Sequence, residues 1–214
     1  LEAQQLEVRA NLNSGLFSYR GEGSESISRI NGMSYTNNPY GSRGGLSYGM
    51  SLDARKTTKG KFVFGADLGY EMLRSKVKLD YSELELDVFF EYEGKTILNT
   101  SFVNLYPYLG SRLNFAGQAL DIVGGLDIGY VLNSREKGEA KSKDQAQSKV
   151  ETSRDRKNIK TDLRPRIQLS TDFDKIGLYV GYSLGLKNYR PLMTGINANT
   201  YSRMLRFGLS YRLK

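Results

Sequence analysis

Residues 201–213 alternate with period two. Tyr201, Leu205, Phe207, Leu209, Tyr211 and Leu213 fall on one face, and Ser202, Arg206, Gly208, Ser210 and Arg212 on the other. A strand that is apolar on one side and charged on the other, standing last in the chain, would leave a row of unpaired backbone groups at the edge of an open sheet. Pairing it with the first strand closes a barrel and removes that edge.

The same alternation recurs along the chain. In strand one Leu6, Val8, Ala10 and Leu12 oppose Glu7, Arg9, Asn11 and Asn13. Strand two sets Leu46, Tyr48, Met50, Leu52 and Ala54 against Gly49, Asp53 and Arg55, and strand three sets Phe62, Phe64, Ala66, Leu68, Tyr70 and Met72 against Gly65, Asp67, Gly69 and Glu71. Strand four carries Val103, Leu105, Pro107, Leu109 and Leu113 opposite Asn104, Tyr106, Tyr108, Gly110 and Arg112; Pro107 lacks a ladder donor, so a bulge is expected there. Strand five places Leu120, Ile122, Leu126, Ile128, Tyr130 and Leu132 opposite Asp121, Gly125, Asp127 and Gly129. Strand six sets Leu163, Ile167, Leu169 and Phe173 against Arg164, Arg166, Gln168 and Asp172. Strand seven sets Ile176, Leu178, Val180, Tyr182, Leu184 and Leu186 against Gly177, Gly181, Ser183, Gly185 and Lys187.

The predicted connections alternate in length. Residues 57–60, 115–118 and 174–175 are short turns, whereas 20–45, 134–160 and 188–200 read as long polar loops, the second of them as a mobile one. Residues 74–99 keep period two while rich in Lys, Asp and Glu, so strands three and four extend past the membrane as a hairpin or an additional strand pair is inserted. The pattern predicts one all-β domain over residues 1–214, an eight-stranded antiparallel up-and-down transmembrane barrel with long loops at one end and short turns at the other. In an outer membrane both termini are then periplasmic. The start at Leu1-Glu2-Ala3-Gln4-Gln5 is read as following a removed signal peptide.

Composition excludes several alternatives. Mean hydropathy is −0.49 and no apolar run approaches the roughly 20 residues of a membrane helix. Barrel strands need only every second residue apolar, so this low value is compatible with a membrane barrel. With neither cysteine nor histidine, the chain has no disulfide framework, no thiolate metal site and no Ser-His-Asp or Cys-His catalysis. Gly94-Lys95-Thr96 mimics the end of a phosphate-binding loop, but Phe89 stands where its first glycine belongs, and Gly21-Glu22-Gly23 lacks a third glycine. No enzyme activity, cofactor or metal is expected.

The polar face decides which side is the interior. It carries repeated glycines, which make room for large neighbours in a narrow lumen. It also carries charges of both signs: Glu7, Asp53, Asp67, Glu71, Asp121, Asp127 and Asp172 with Arg9, Arg55, Arg112, Arg164, Arg166, Arg206 and Arg212. Buried charges persist when paired, so these form a structural lumen network, and Arg206 and Arg212 are expected to meet acids such as Glu7, Asp67 or Asp172. Phe62, Tyr70, Tyr130, Phe173, Tyr201 and Tyr211 fit aromatic girdles. A rival is a soluble or periplasmic lipocalin-like barrel with Leu126, Ile128, Val180 and Leu184 lining a hydrophobic ligand cavity; a small pore is a third reading, opposed by the packed charges.

The net charge of +8 admits nucleic acid or an anionic lipid surface. The basic run of residues 141–160 lacks the aromatics that stack bases, which argues against nucleic acid. Partners expected are outer-membrane lipid, lipopolysaccharide phosphates and an envelope protein, with the chain itself a monomer.

Tyr182-Ser183-Leu184-Gly185-Leu186-Lys187-Asn188, followed after a loop by Leu205-Arg206-Phe207-Gly208-Leu209-Ser210-Tyr211-Arg212, resembles the end of the PorT-like outer-membrane β-barrels of Bacteroidetes. Tyr106-Pro107-Tyr108-Leu109 and Gly124-Gly125-Leu126-Asp127-Ile128-Gly129-Tyr130-Val131-Leu132 are similar to its middle hairpin. The resemblance implies a Gram-negative, porin-like cell-envelope barrel without catalytic residues, presenting loops for surface binding, adhesion or association with an envelope or secretion assembly.

Overall fold

In the computed structural model, residues 6–31, 35–85, 88–115, 117–143, 149–156, 159–190 and 198–214 are described. Residues 1–5, 86–87, Ala116 and parts of the three long connections lie outside them. The chain forms strands throughout: β1 (Leu6–Arg20), the short β2 (Ile27–Ser28), β3 (Ile30–Asn31) and β4 (Tyr35–Thr36), then β5 (Arg43–Thr57), β6 (Phe62–Glu85), β7 (Val88–Phe115), β8 (Gln118–Ser142), β9 (Lys149–Asp155), β10 (Thr161–Phe173), β11 (Ile176–Leu184) and β12 (Tyr201–Arg212).

Consecutive long strands pair antiparallel from β1 through β5, β6, β7 and β8 to β10, β11 and β12, and β12 returns to β1 with Arg9 opposite Arg212 and Arg20 opposite Tyr201. The ladder therefore closes on itself. At the seam the Val8 amide donates to the Lys214 carbonyl at 3.1 Å and the Leu213 amide to Val8 at 2.8 Å. This continues the pairing to the last residues.

The outward side is apolar. Leu12, Leu52, Leu109 and Leu209 each stand more than half exposed, and Arg9, Asp53 and Arg206 on the opposite face are buried. Burying charge while exposing leucine is unfavourable in water and favourable in hydrocarbon. On β6 the band from Phe62 to Met72 spans about ten steps of roughly 3.3 Å, or about 25 Å along the membrane normal at a tilt of ~40°. Phe62, Phe115, Phe173 and Tyr211 are exposed toward the short-turn end, and Tyr48, Tyr130 and Tyr182 toward the long-loop end.

Each short turn contains a residue in the left-handed region: Lys61 (φ 64°), Gly117 (φ 83°) and Asp174 (φ 54°). Such residues let a tight hairpin follow the strand twist.

Two expectations are corrected, and the choice left open at residues 74–99 falls to the extended hairpin. Pro107 sits in unbroken register, Leu105 opposite Ile128 and Tyr108 opposite Gly125; the irregularity falls instead between Ser101 and Phe102. Residues 74–99 add no separate strand pair, since β6 and β7 continue in one register from Phe62–Ser111 to Glu85–Val88. The supposed mobile loop of residues 134–160 is largely strand: β8 runs to Ser142, and β9 pairs with it from Arg135–Asp155 to Lys141–Lys149. Strands β6, β7, β8 and β9 thus project as a sheet beyond the apolar band, with β2 parallel to β6 at Lys78 and Leu79.

Inside, glycine makes space for rings. Gly208 lies opposite Tyr179, and a β-carbon there would fall within the Tyr179 ring. Gly208→Ala should therefore destabilise the detergent-folded protein by about 1–3 kcal/mol through overpacking. In urea unfolding, adding Tyr179→Ala should remove most of that penalty; an additive double variant would contradict the packing assignment.

Candidate functional site

Near the short turns, register brings charges together locally. Arg112 lies opposite Asp121 in the β7–β8 ladder and holds it at 2.7 Å. Arg55 reaches the same carboxylate at 2.9 Å and Asp53 at 3.2 Å, and the Tyr108 hydroxyl donates to Asp53 at 2.7 Å. Arg9 bridges Glu7 (2.5 Å) and Asp172 (2.6 Å), whose other neighbour, Arg212, stands 3.8 and 3.6 Å away.

Farther in, Asn11 donates to Asp67 and Ser51, each at 3.3 Å, and the Arg166 guanidinium lies 4.2 Å from the Tyr106 ring centroid while donating to Gln168. The deepest cluster joins five strands. Arg206 of β12 contacts Glu71 of β6 at 2.6 Å and Asp127 of β8 at 2.7 Å. Arg164 of β10 meets Asp127 at 3.1 Å and Glu71 at 3.4 Å, and Asn104 donates to Glu71. Arg164 and Arg206 are both 0% exposed. In so low a dielectric an unpaired guanidinium would be costly; Arg206 faces two carboxylates and Arg164 three, the third being Asp162 at 4.0 Å.

Toward the long loops the interior becomes apolar. Phe17, Tyr19, Tyr40, Leu73, Leu98, Phe102, Val131, Tyr189 and Met204 form one buried cluster, with Tyr19 edge-on to Phe17, Tyr40 and Tyr189 at centroid separations of 4.9–5.1 Å. A cavity within the charge network, lined by Asn13, Asp67, Glu71, Asn104, Asp127 and Arg166 among others, is about 10 Å³. That is about the volume one water needs.

All fourteen residues of the anticipated network lie on the inward side or its rim, but one pairing differs. Arg206 meets Glu71 and Asp127 instead of Glu7, Asp67 or Asp172. The strands tilt and stagger, so inward residues far apart in the pairing order meet across the lumen. Leu126, Ile128, Val180 and Leu184 alternate with the buried Asp127, Tyr179 and Ser183 and so face outward, where they line no interior ligand cavity.

Sequence reasoning also missed several inward groups. Asp162, which accepts from Tyr189 (2.8 Å) and Ser202 (2.7 Å), lies one residue before the predicted start of strand six. Glu136, fully buried, is held by Arg156 at 2.7 Å and accepts from the Thr36 amide at 2.8 Å. The alternation of Ser134, Glu136, Gly138 and Ala140 with Arg135, Lys137, Glu139 and Lys141 was the available signal.

The projecting sheet bears its own ion pairs: Lys78–Glu93 at 2.9 Å, Lys143–Glu91 at 3.1 Å, and Lys149 with Glu139 (3.0 Å) and Glu151 (2.8 Å). Hydrogen bonding from Lys78 holds the Glu93 carboxyl below the usual carboxylate range, and hydrogen bonding from Lys149 does the same for Glu139.

An antiparallel ring that is apolar outside and charged inside defines a transmembrane β-barrel. The chain belongs to the outer membrane protein beta-barrel domain family, which matches residues 3–189. No curated protein sequence matches it. Among solved structures, Ail, the attachment invasion locus protein of Yersinia pestis, is 13% identical with a TM-score of 0.41, covering 98% of this chain and 99% of that one. Neisserial surface protein A is 9% identical with a TM-score of 0.38, covering 96% and 97%.

Arg206→Met leaves Glu71 and Asp127 sharing Arg164, and should lower stability in urea by about 3–5 kcal/mol, whereas Arg212→Met at the rim should cost less than about 1 kcal/mol. Equal losses would contradict the burial gradient. A second expectation concerns acid. Because the folded pKa values of Glu93 and Glu139 lie below their unfolded ones, their contribution is complete above the ordinary carboxylate range and is lost as pH falls through the lowered values. After correction for intrinsic exchange, amide protection in residues 91–95 and 137–141 should drop between about pH 6 and pH 3 more than in β11.

Proposed function

We propose that this chain is a closed, monomeric, non-enzymatic barrel of the outer membrane, with both termini periplasmic and the long-loop end outside. Its ring of eight strands is the complete barrel, the lumen charges act as a structural plug, and the projecting sheet with the long connections is the binding surface. The role that fits best is adhesion, surface binding or association with an envelope or secretion assembly. The pattern around Tyr182–Asn188 and Leu205–Arg212 supports a PorT-like affiliation.

One observation carries this reading: Arg164 and Arg206, both fully buried, cross the lumen to Glu71 and Asp127, and the cavity among these groups has room for about one water. Paired charges packed across the lumen disfavour the small-pore reading. The outward placement of Leu126, Ile128, Val180 and Leu184 likewise disfavours a lipocalin-like cavity.

In planar bilayers the protein should pass no steady current. The native chain has no cysteine, so single probes are clean. On intact cells Lys141→Cys in β8 should react with a membrane-impermeant maleimide, and Lys59→Cys in a short turn should not. Discrete channel openings, or labelling at position 59 alone, would sink the closed-plug or the orientation reading respectively.

A further inference from the structure

The outer face of the projecting sheet changes character with distance from the apolar band. Its far rows are self-neutralised, each of Lys78, Lys143 and Lys149 having a carboxylate within 3.1 Å. The rows nearest the band are not. There Arg74, Asn99 and Arg135 align across β6, β7 and β8, and Lys76, Ile97 and Lys137 form the next row, with Arg43 of β5 opposite Lys76.

The only carboxylate in ion-pair range of these cations among the described residues is Asp155, 3.9 Å from Arg135. Two neutral contacts orient the row: Arg74 Nε donates to Asn99 at 3.1 Å, and Arg135 Nη2 to Ser153 at 2.9 Å. Arg43 precedes the exposed Leu46 by three residues, and Arg135 lies three residues past the exposed Leu132. Lys76 and Lys137 are roughly 10 Å apart, two strand spacings across Ile97.

Like charges fixed on a rigid ladder repel unless an anion joins them, and the missing carboxylates are missing where the membrane's polar boundary falls. A lipid whose acyl chains lie along Leu46, Val103 and Leu132 carries its headgroup phosphate to that depth. A soluble anion has no such reason to sit beside the apolar band.

We propose that Arg43, Arg74, Lys76, Arg135 and Lys137 form a binding site for the phosphate of a membrane-lipid headgroup in the leaflet at the long-loop end. The proposal rests on the membrane-barrel reading above. The site is preorganised, since the strand ladder spaces the cations before any lipid arrives, and Arg74 and Arg135 offer planar donors suited to phosphate oxygens.

The test is native mass spectrometry of the full chain in neutral detergent micelles, titrated with lipid A carrying its phosphates, dephosphorylated lipid A, or phosphatidylcholine. Phosphorylated lipid should be retained and the other two released. Lys76→Gln/Arg135→Gln/Lys137→Gln should weaken retention roughly a hundredfold, about fivefold for each charge near an anionic surface. Lys143→Gln/Lys149→Gln should leave it unchanged, and Lys76→Arg/Lys137→Arg should preserve it.

Equal retention by the triple variant, or retention of dephosphorylated lipid, would overturn the proposal. Displacement by inorganic phosphate or by an acidic peptide would overturn it too, by assigning the patch to a free anion or to a protein. The gel shift between unheated and boiled protein reports barrel folding separately. Its loss in the wild-type chain would count against the barrel reading, not the lipid site.

Discussion

In hydrocarbon no water is available to a backbone amide or carbonyl, so a membrane-spanning sheet must pair every strand on both sides. The seam between β1 and β12 meets that demand here, with pairing from Arg20–Tyr201 to Arg9–Arg212 and on to Lys214. Much else follows from closure. A ring this narrow directs alternate side chains into a space with little room for water, and those side chains must satisfy one another.

That demand explains which parts of the interior were legible in sequence. Inward placement follows from period two alone, so Arg9, Asp53, Glu71 and Arg206 could be assigned to one face from residue order. Local partners such as Arg112 and Asp121, facing each other across one hairpin, are close to readable as well. Arg206 with Glu71 is not, because the two strands are separated by β1 and β5 in the ring and meet only through tilt and stagger. Composition identified the charges as balanced, but no spacing rule says which acid a given arginine reaches across a lumen.

The aromatic cluster was hidden for a related reason. Phe17, Leu73, Leu98, Phe102 and Met204 are apolar yet inward, against the simple expectation of polar inside and apolar outside. Toward the long loops the barrel leaves the hydrocarbon, and the solvent on the outer face becomes water. Burial then favours apolar residues inside and charged ones outside, so the hydrophobic pattern inverts along a single strand. On β6 the inversion lies between Leu68, exposed, and Leu73, buried. Reading one polarity rule along the whole strand misassigns everything past that point, and it made residues 134–160 look like a solvated loop.

The correction at residues 134–160 alters how the external surface works. A mobile, lysine-rich loop would have to be ordered by any partner, at roughly 0.5–1.5 kcal/mol for each immobilised side chain. Instead β8 and β9 hold Lys137, Lys141 and Lys149 in register, and the connection from β1 folds back onto the same sheet through β2, which pairs with β6 at Lys78 and Leu79. Tyr35 lies beneath the Arg154 guanidinium at 3.9 Å, and Arg156 joins Glu136 to Thr36. On the closed-barrel reading proposed above, any recognition at this end rests on surface chemistry. A ladder fixes that chemistry in advance: carboxylates and lysines cancel far from the membrane, whereas cations stand unneutralised where the apolar band ends. The same strands that close the backbone in lipid therefore also set where positive charge remains available outside it.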